Sequence, residues 1–548
     1  MLRSLASVRA AVLVAALVFA LPSFAAVRHV PAQYAQIQSA MVAAAPGDTV
    51  LVAAGTYFDC THPTEGAGST PACVIMASGV TLRGAGVDAT IIDAQSLGRG
   101  IFIENVSGCR VENLQVRAAY AAIYGAGILV RNAGATVAVT DVKVTQCTDG
   151  GVICINSASP TLTRVEISHN AAKQGGGLAI EESSSPQVVD CNIHHNSAPS
   201  GAGVFIRTNC APVIDGCTIA DNTITADFGN GGGIAAQNAA PVITGCTITG
   251  NTTLGYGGGV AFVQGATGLM EDCRIEGNDA AGTYSLGGGV AVSQSSPTLR
   301  GLVIVNNSCT GFYAEGGGLD ISFTPAPVLE NCTIASNATS ANGFGGGMSV
   351  QFGAAPSVTR CIIAGATAGQ AIYCLAATPV VACSDLWGNA GGDAVCGTDG
   401  GGNFSLDPQF CDAGAGSFGL QGTSPCAPGN HGGSCAAEVV GALPAGCGAS
   451  PVPMPAVAGL VVGCQPNPFN PATTVWFEQA VAGPVQVDIY DVRGRRVDGR
   501  TFADAPAGRT SFTWRGVDDQ GRLLPSGVYL CRVSTARDVS TRRMSLIR

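Results

Sequence analysis

Three titratable side chains recur at one position of a repeated segment. His169, His195 and Asp221 each stand nine residues after a proline (Pro160, Pro186 and Pro212), and Lys173 follows in the loop after His169. If the repeats stack, these groups form an outward column of two imidazoles and a carboxylate with an ammonium beside it. Such a set can hold a metal, or act as a base with an orienting partner. The competing reading is a solvated turn, because later repeats carry Gly250, Gly277, Asn306 and Ser336 at the same position. A looser group, Asp215, Glu271, Asp272 and Glu330, offers carboxylates either to Ca2+ or simply to solvent.

The elements that position these groups repeat every 26 to 30 residues. Copies begin at Ser159, Ser185, Ala211, Ala240, Thr267, Ser296, Ala326 and Ala355, and read, for example, SPQVVDCNIHHN and APVITGCTITGN. Glycine clusters such as Gly175–Gly177, Gly231–Gly233 and Gly316–Gly318 separate most of them. A fixed period of this size means a solenoid whose units bury their apolar faces against one another. The first half of the repeat also fits a leucine-rich template, Leu162-x-x-Val165-x-Ile167-x-x-Asn170. The second half decides. After the glycines, pairs such as Leu178/Ile180, Val260/Phe262 and Leu319/Ile321 alternate with period two, which means a strand. The fold class is all-β: a right-handed parallel β-helix of about a dozen coils.

Coils stacked about 4.8 Å apart place equivalent residues over one another. Cys191, Cys217, Cys246, Cys273, Cys332 and Cys361 then share one inward column, and isoleucines from Ile167 to Ile363 another. In-register thiols on parallel strands suit the disulfide torsion badly, so the first column is expected as free buried thiols. Asn170, Asn196, Asn222, Asn251, Asn278, Asn307 and Asn337 fall at a strand-ending turn and should hydrogen-bond along the axis. Ala179, Phe205, Ala235, Ala261, Ala291, Asp320 and Ser349 lie between the inward residues of the post-glycine strand. They should form a flat strip, either a ligand-binding surface or the floor beneath a covering loop.

Residues 31–45 place Ile37, Ala40, Met41 and Ala44 on one helical face, a cap for the open first coil. Residues 44–57 and 79–94 resemble the opening coils of the pectate-lyase-like β-helix superfamily. DLWGN (Asp385–Asn389), DPQF (Asp407–Phe410) and SPC (Ser424–Cys426) resemble the closing segment of secreted β-helix repeat proteins. Enzymes of that superfamily abstract a proton with Lys, Arg or His while carboxylate-held Ca2+ neutralises the substrate acid, and glycoside hydrolases on the fold use aspartates. The resemblance, over residues 28–447, leaves two readings open. One is a non-catalytic module that binds carbohydrate, adheres or builds structure. The other is a polysaccharide lyase or glycoside hydrolase working through His169, His195, Asp221 and Lys173.

The chain changes character after Cys447. Residues 448–460 are a Pro/Gly/Ala linker, and 461–548 alternate strands with turns as in a small β-sandwich. NPFNPATT (Asn467–Thr474), YDVRGR (Tyr490–Arg495) and SGVYL (Ser526–Leu530) resemble the Ig-like domain of flagellar hook-capping (FlgD-type) proteins. They equally resemble the C-terminal sorting domains of the type IX secretion route. That resemblance implies a sorting or attachment module that meets secretion machinery in a bacterium with an outer membrane.

Residues 1–25 read as a signal peptide: Arg3 and Arg9, the apolar run Ala10–Ala20, then Ser-Phe-Ala. No other stretch could span a bilayer. The expected plan is therefore a β-helix over 26–447, with a Cys-rich closing segment at 396–447, then the linker and the sandwich. Twenty-two cysteines suit an oxidising compartment. Cys60/Cys73, Cys147/Cys154, Cys411/Cys426 and Cys435/Cys447 flank short loops and are disulfide candidates whose connectivity the sequence leaves open. Residues 461–548 hold 12 Arg against 8 Asp and Glu, so the remainder carries −14 of the net −10. An acidic solenoid excludes nucleic acid as partner. Extracellular polysaccharide or a surface protein is expected instead, on a secreted or surface-displayed chain. No cofactor follows from these motifs beyond the Ca2+ that the carboxylates would accept.

Overall fold

The computed structural model describes residues 25–64, 70–121, 124–323, 325–431, 435, 437–447, 461–465, 472–479, 483–491, 495–505, 508–535 and 539–546. The expected signal peptide, up to residue 24, and the linker 448–460 lie outside the described residues. The chain forms two compact units, Met1–Cys447 and Gly448–Arg548.

The first unit is a parallel β-helix. A representative coil runs through strands Gln187–Val189, Asn192–His194, Ser197–Ala198 and Val204–Arg207. Each pairs in parallel with its equivalents above and below, residue over residue. Ile193 stands between Ile167 and Ile219, and Phe205 between Ala179 and Ala235. The post-glycine strands alone make a 12-stranded sheet from Ala72–Ile75 to Ile372–Leu375. In-register pairing turns the sequence columns into spatial ones, and Val188, Cys191, Ile193, Val204 and Ile206 fill this coil's interior. The cysteine column consists of free buried thiols. Each keeps its S–H satisfied on backbone, as Cys217 does on the Val188 and Asp215 carbonyls, both at 3.5 Å.

Left-handed residues bend every coil, two of them around the second strand. Four residues after the proline position (Gly268 in the coil that begins at Thr267) stand Arg164, Asp190, Gly216, Gly245, Asp272, Gly301, Asn331 and Arg360, with φ of 50 to 64°. Nine after it stand His169, His195, Asp221, Gly250, Gly277, Asn306, Ser336 and Gly365, with φ of 53 to 64°. Glycine, Asn and Asp tolerate that conformation, while other residues store on the order of 1–3 kcal/mol there.

The asparagine next in line makes this bend affordable. The Asn222 Oδ1 accepts from both the backbone N–H and the Nδ2 of Asn196, each at 3.0 Å. Its own Nδ2 donates to the Ile193 carbonyl at 3.0 Å and to the Asn251 Oδ1 at 2.9 Å. The same pattern continues from Asn170 to Asn337, all at most 1% exposed. The third glycine of each cluster lies against this ladder. A Cβ on Gly233 would stand 2.7 Å from the Gly259 carbonyl oxygen and 3.1 Å from the Asn251 Nδ2.

The capping helix is Ile37–Ala43, shorter than the apolar pattern over 31–45 suggests, with prolines at 31 and 46 flanking it. Its Ile37, Ala40 and Met41 are buried. At the other end, disulfides Cys374–Cys396, Cys383–Cys435 and Cys411–Cys447 tie the closing segment, and Cys60–Cys73 ties the first coils. The spacing-based pairs Cys411/Cys426 and Cys435/Cys447 are thus corrected: Cys435 pairs back to Cys383 in the last coils, and Cys411 pairs with Cys447 across the closing segment. Cys426 is a buried thiol donating to the Asp385 Oδ2 at 3.2 Å. Cys147 and Cys154 are free. Cys147 occupies the asparagine column, where its N–H donates to the Asn170 Oδ1, and Cys154 stands beside Ile180 in the post-glycine sheet.

The second unit packs a three-stranded antiparallel sheet (Val461–Gln465, Thr473–Gln479, Gly508–Trp514) and a four-stranded one (Arg496–Ala505, Gly483–Asp491, Gly527–Ser534, Val539–Leu546). Val475, Phe477, Ile489, Trp514, Cys531 and Met544 lie in its core. Most of the NPFNPATT opening and the turn at 492–494 lie outside the described residues.

Replacing Asn251 by Ala removes the acceptor of two Asn222 N–H groups and deletes the Nδ2 bonds to Ile219, Thr249 and Asn278, so it should cost about 3 kcal/mol or more in chemical denaturation. A loss below about 0.5 kcal/mol, the scale of an ordinary surface change, would show the ladder to be incidental.

Candidate functional site

The outward positions of the second strand in each coil form two columns. One runs Gln115, Lys143, Glu166, Asn192, Thr218, Thr247, Arg274, Val303, Thr333 and Ile362. The other runs Asp93, Arg117, Thr145, Ser168, His194, Ala220, Thr249, Glu276, Val305, Ala335 and Ala364. Apart from Ala220 and Thr333, both switch from polar to apolar side chains at Val303 and Val305. The closing segment explains the switch. Its hairpin Phe410–Asp412/Ser417–Leu420 sets Phe418 on Val303, Val305 and Ala335, and Leu420, Cys426 and Val440 on Ile362 and Ala364. Arg274 marks the boundary, with its Nη2 donating to the Gly416 carbonyl at 3.0 Å. The lower half of this face is therefore covered and the upper half is open.

The open half holds the titratable cluster. Lys143 Nζ lies 2.9 Å from the Glu166 Oε1, which also meets the Ser168 hydroxyl at 3.2 Å and the His194 Nε2 at 3.5 Å. His194 Nδ1 meets His195 Nδ1 at 2.9 Å, one ring donating and the other accepting. His195 stacks on His169, with centroids 5.1 Å apart and planes 10° apart. Three of the six histidines and one of the two lysines thus gather in one place. Beside them is a hollow of about 310 Å³ lined by Gln115, Arg117, Lys143, Thr145, Gln146, Ser168 and His169. Arg117 is held by its Nε on the Asp93 carboxylate at 2.8 Å. Two cations, an imidazole, two amides and two hydroxyls facing a shallow cavity suit a ligand bearing carboxylate and hydroxyl groups.

Electrostatics sets the protonation. Burial would raise the Glu166 pKa, but the Lys143 ammonium outweighs it, and the carboxylate sits below its usual range. Burial lowers His194 below the ordinary 6.5; Glu166 pulls it back up while His195 and His169 push it down.

Of the four residues proposed from sequence, the structure brings His169 and His195 together and not the others. Asp221 leans the other way, with its Oδ1 2.5 Å from where a Cβ on Gly250 would stand. Among the described residues no hydrogen bond or ion pair links it to a histidine. Lys173 interacts with Asp149 instead. His194, Glu166, Lys143 and Arg117 were missed. The signal that could have found them is the switch of outward residues from Lys143, Glu166 and Asn192 to Val303 and Val305. Among the described residues no group of three or more His, Cys, Asp or Glu is arranged to hold a metal ion. Half of the acidic strip is neutralised on the surface, where Glu271, Arg300, Glu330 and Arg360 alternate as ion pairs; Asp215 instead accepts from the Thr244 hydroxyl at 2.8 Å, and burial together with the Glu271 charge raises the Asp272 pKa.

The flat strip is not a surface. Ala179, Phe205, Ala235, Ala261, Ala291, Asp320 and Ser349 are all at most 2% exposed. The glycine turn that enters each strand doubles back over them. A Cβ on the left-handed Gly175 would lie 2.7 Å from the Ala179 Cβ, and one on Gly201 equally close to the Phe205 Cβ.

Residues 78–229 and 200–338 match the family description "Right handed beta helix region", and residues 470–538 match "FlgD Ig-like domain". The first unit is therefore a right-handed parallel β-helix. The chain as a whole is such a β-helix followed by an FlgD-type Ig-like domain. No match is found among curated proteins. Among solved structures, pectate lyase Pel9A is 14% identical over 77% of this chain and 97% of its own, with a TM-score of 0.35. The alginate lyase AlyGC is 15% identical over 79% and 60%, with a TM-score of 0.43. PorU of Porphyromonas gingivalis is 21% identical over 17% of this chain, with a TM-score of 0.15, and the match spans only 10% of PorU.

Because the fold disfavours imidazolium at position 194, the wild type should lose stability relative to His194→Gln as pH falls through 6.5, with a constant difference above it. An NMR titration of His194 with a midpoint at or above 6.5 would contradict this.

Proposed function

We propose that this is an extracellular, surface-displayed binding protein whose β-helix holds an acidic polysaccharide along its open face, without processing it. The observation that carries the reading is the hollow of about 310 Å³ where Arg117 and Lys143 meet at the exposed half of an otherwise acidic solenoid. Both carboxylates nearest the hollow are already committed, Asp93 to Arg117 and Glu166 to Lys143. A hydrolase would need two carboxyl groups free to flank the bond. The Ig-like domain serves in this reading as the sorting or attachment module. No helix of the described residues is long and apolar enough to cross a membrane.

A second reading, a polysaccharide lyase, is favoured by one observation. Burial, with His195 and His169 adding to it, disfavours the charged form of His194 beside the Ser168 that lines the hollow, as a general base requires.

Titration of the full chain with oligogalacturonate or oligoalginate separates the two. Arg117→Ala and Lys143→Ala should each weaken binding by about tenfold, with affinity falling as salt rises. Binding that ignores both substitutions would contradict the site. Unsaturated products that disappear in His194→Ala would replace the binder with a lyase. A chain ending at Cys447 should be made but not displayed on the cell surface; normal display would remove the role given to residues 461–548.

A further inference from the structure

The first outward column of the post-glycine sheet is buried and apolar from Phe102 to Ala291, and it turns polar towards its lower end. There Asp320 and Ser349 stand in register, and two residues further on Ser322 and Gln351 do the same. Asp320, Ser322, Ser349 and Gln351 are all at most 1% exposed. Glu315, next to the glycine turn that covers them, is half-buried at the rim and contacts the Gln351 Nε2.

This cluster is short of positive charge. No Lys, Arg or His among the described residues forms an ion pair with Asp320 or Glu315. The Gln351 Nε2 faces three oxygens: the Ser349 Oγ at 2.8 Å, the Asp320 Oδ1 at 3.4 Å and the Glu315 Oε2. An amide nitrogen has two hydrogens, so it cannot serve three acceptors. The Gln351 Oε1, on the same buried amide, has no hydrogen-bond partner. Burial pushes the Asp320 carboxyl up to about 8, the Glu315 charge adding to the rise. A fully buried carboxyl in such surroundings requires either a bound proton or a bound cation.

We propose that Asp320, Glu315, Gln351 and Ser349 form a site for a divalent cation of the Ca2+ class. The three oxygens surround the Gln351 amide nitrogen; withdrawal of that amide, with its orphan oxygen turned inward, leaves the point to a cation and supplies a fourth donor. All the donors are hard oxygens, as Ca2+ prefers, with ligand distances of about 2.3–2.6 Å reached by a small contraction and water completing the shell past Glu315. The site lies on a different sheet from the Lys143–His195 cluster, and its role is to pin the glycine turns over the lower coils.

The test is Ca2+ titration of chelator-treated full-length protein, followed by thermal melting and by Tb3+ luminescence excited through tyrosine. Ca2+ should raise the melting temperature of the wild type and displace Tb3+. Asp320→Asn should abolish both responses. Glu315→Gln, at the half-exposed rim and safe for folding, should weaken Ca2+ binding by about tenfold or more. A wild type whose melting ignores chelator and Ca2+ would overturn the proposal. So would a folded Glu315→Gln chain that responds as the wild type does.

Discussion

Everything in the β-helix depends on one turn made tolerable. Each coil leaves its second strand through a residue held left-handed, and the buried asparagine that follows bonds to the coils on both sides. That asparagine has its own amide oxygen and nitrogen bonded to neighbouring coils, which is the condition for a polar column to stabilise rather than disrupt a core. The same geometry dictates the glycines, because a Cβ on Gly177, Gly233, Gly259, Gly289 or Gly318 would stand within 3.1 Å of a ladder amide. Remove the amide bridge and the register that aligns every other column loses its anchor.

The working face is a by-product of that constraint. The left-handed position points outward, so whatever stands there is displayed at one coil's rise from its neighbours. In most coils the occupant is a residue that merely tolerates the conformation. In two consecutive coils it is histidine, and the adjacent strand adds His194, Glu166 and Lys143. The closing segment then covers the apolar half of the same face and leaves this half exposed. Local backbone chemistry and the route of the chain's return together produce one open, charged stretch.

Most of the architecture was legible because in-register parallel stacking converts sequence period into spatial column, as the isoleucine, cysteine and asparagine positions illustrate. What was not legible involves contacts that no period encodes. Alternation says that Ala179 and Phe205 point away from the core, but not that the preceding glycine turn folds back over them. The disulfide partners of Cys411 and Cys435 are set by the path of the closing segment, which returns Cys435 to Cys383 and Cys447 to Cys411, so sequence distance misleads. The repeat column marks His195 but not His194, although outward alternation along the strand puts His194 beside Glu166. Asp221 shares the column of His169 and His195 yet leans over Gly250, a rotamer choice invisible to spacing.

The most direct test of the account is a crystal structure of the full chain soaked with an acidic oligosaccharide. The account expects the sugar along the open half of the second-strand face, with a carboxylate between Arg117 and Lys143 and the chain ending before Arg274. Sugar bound on another face, with this hollow empty, would contradict it.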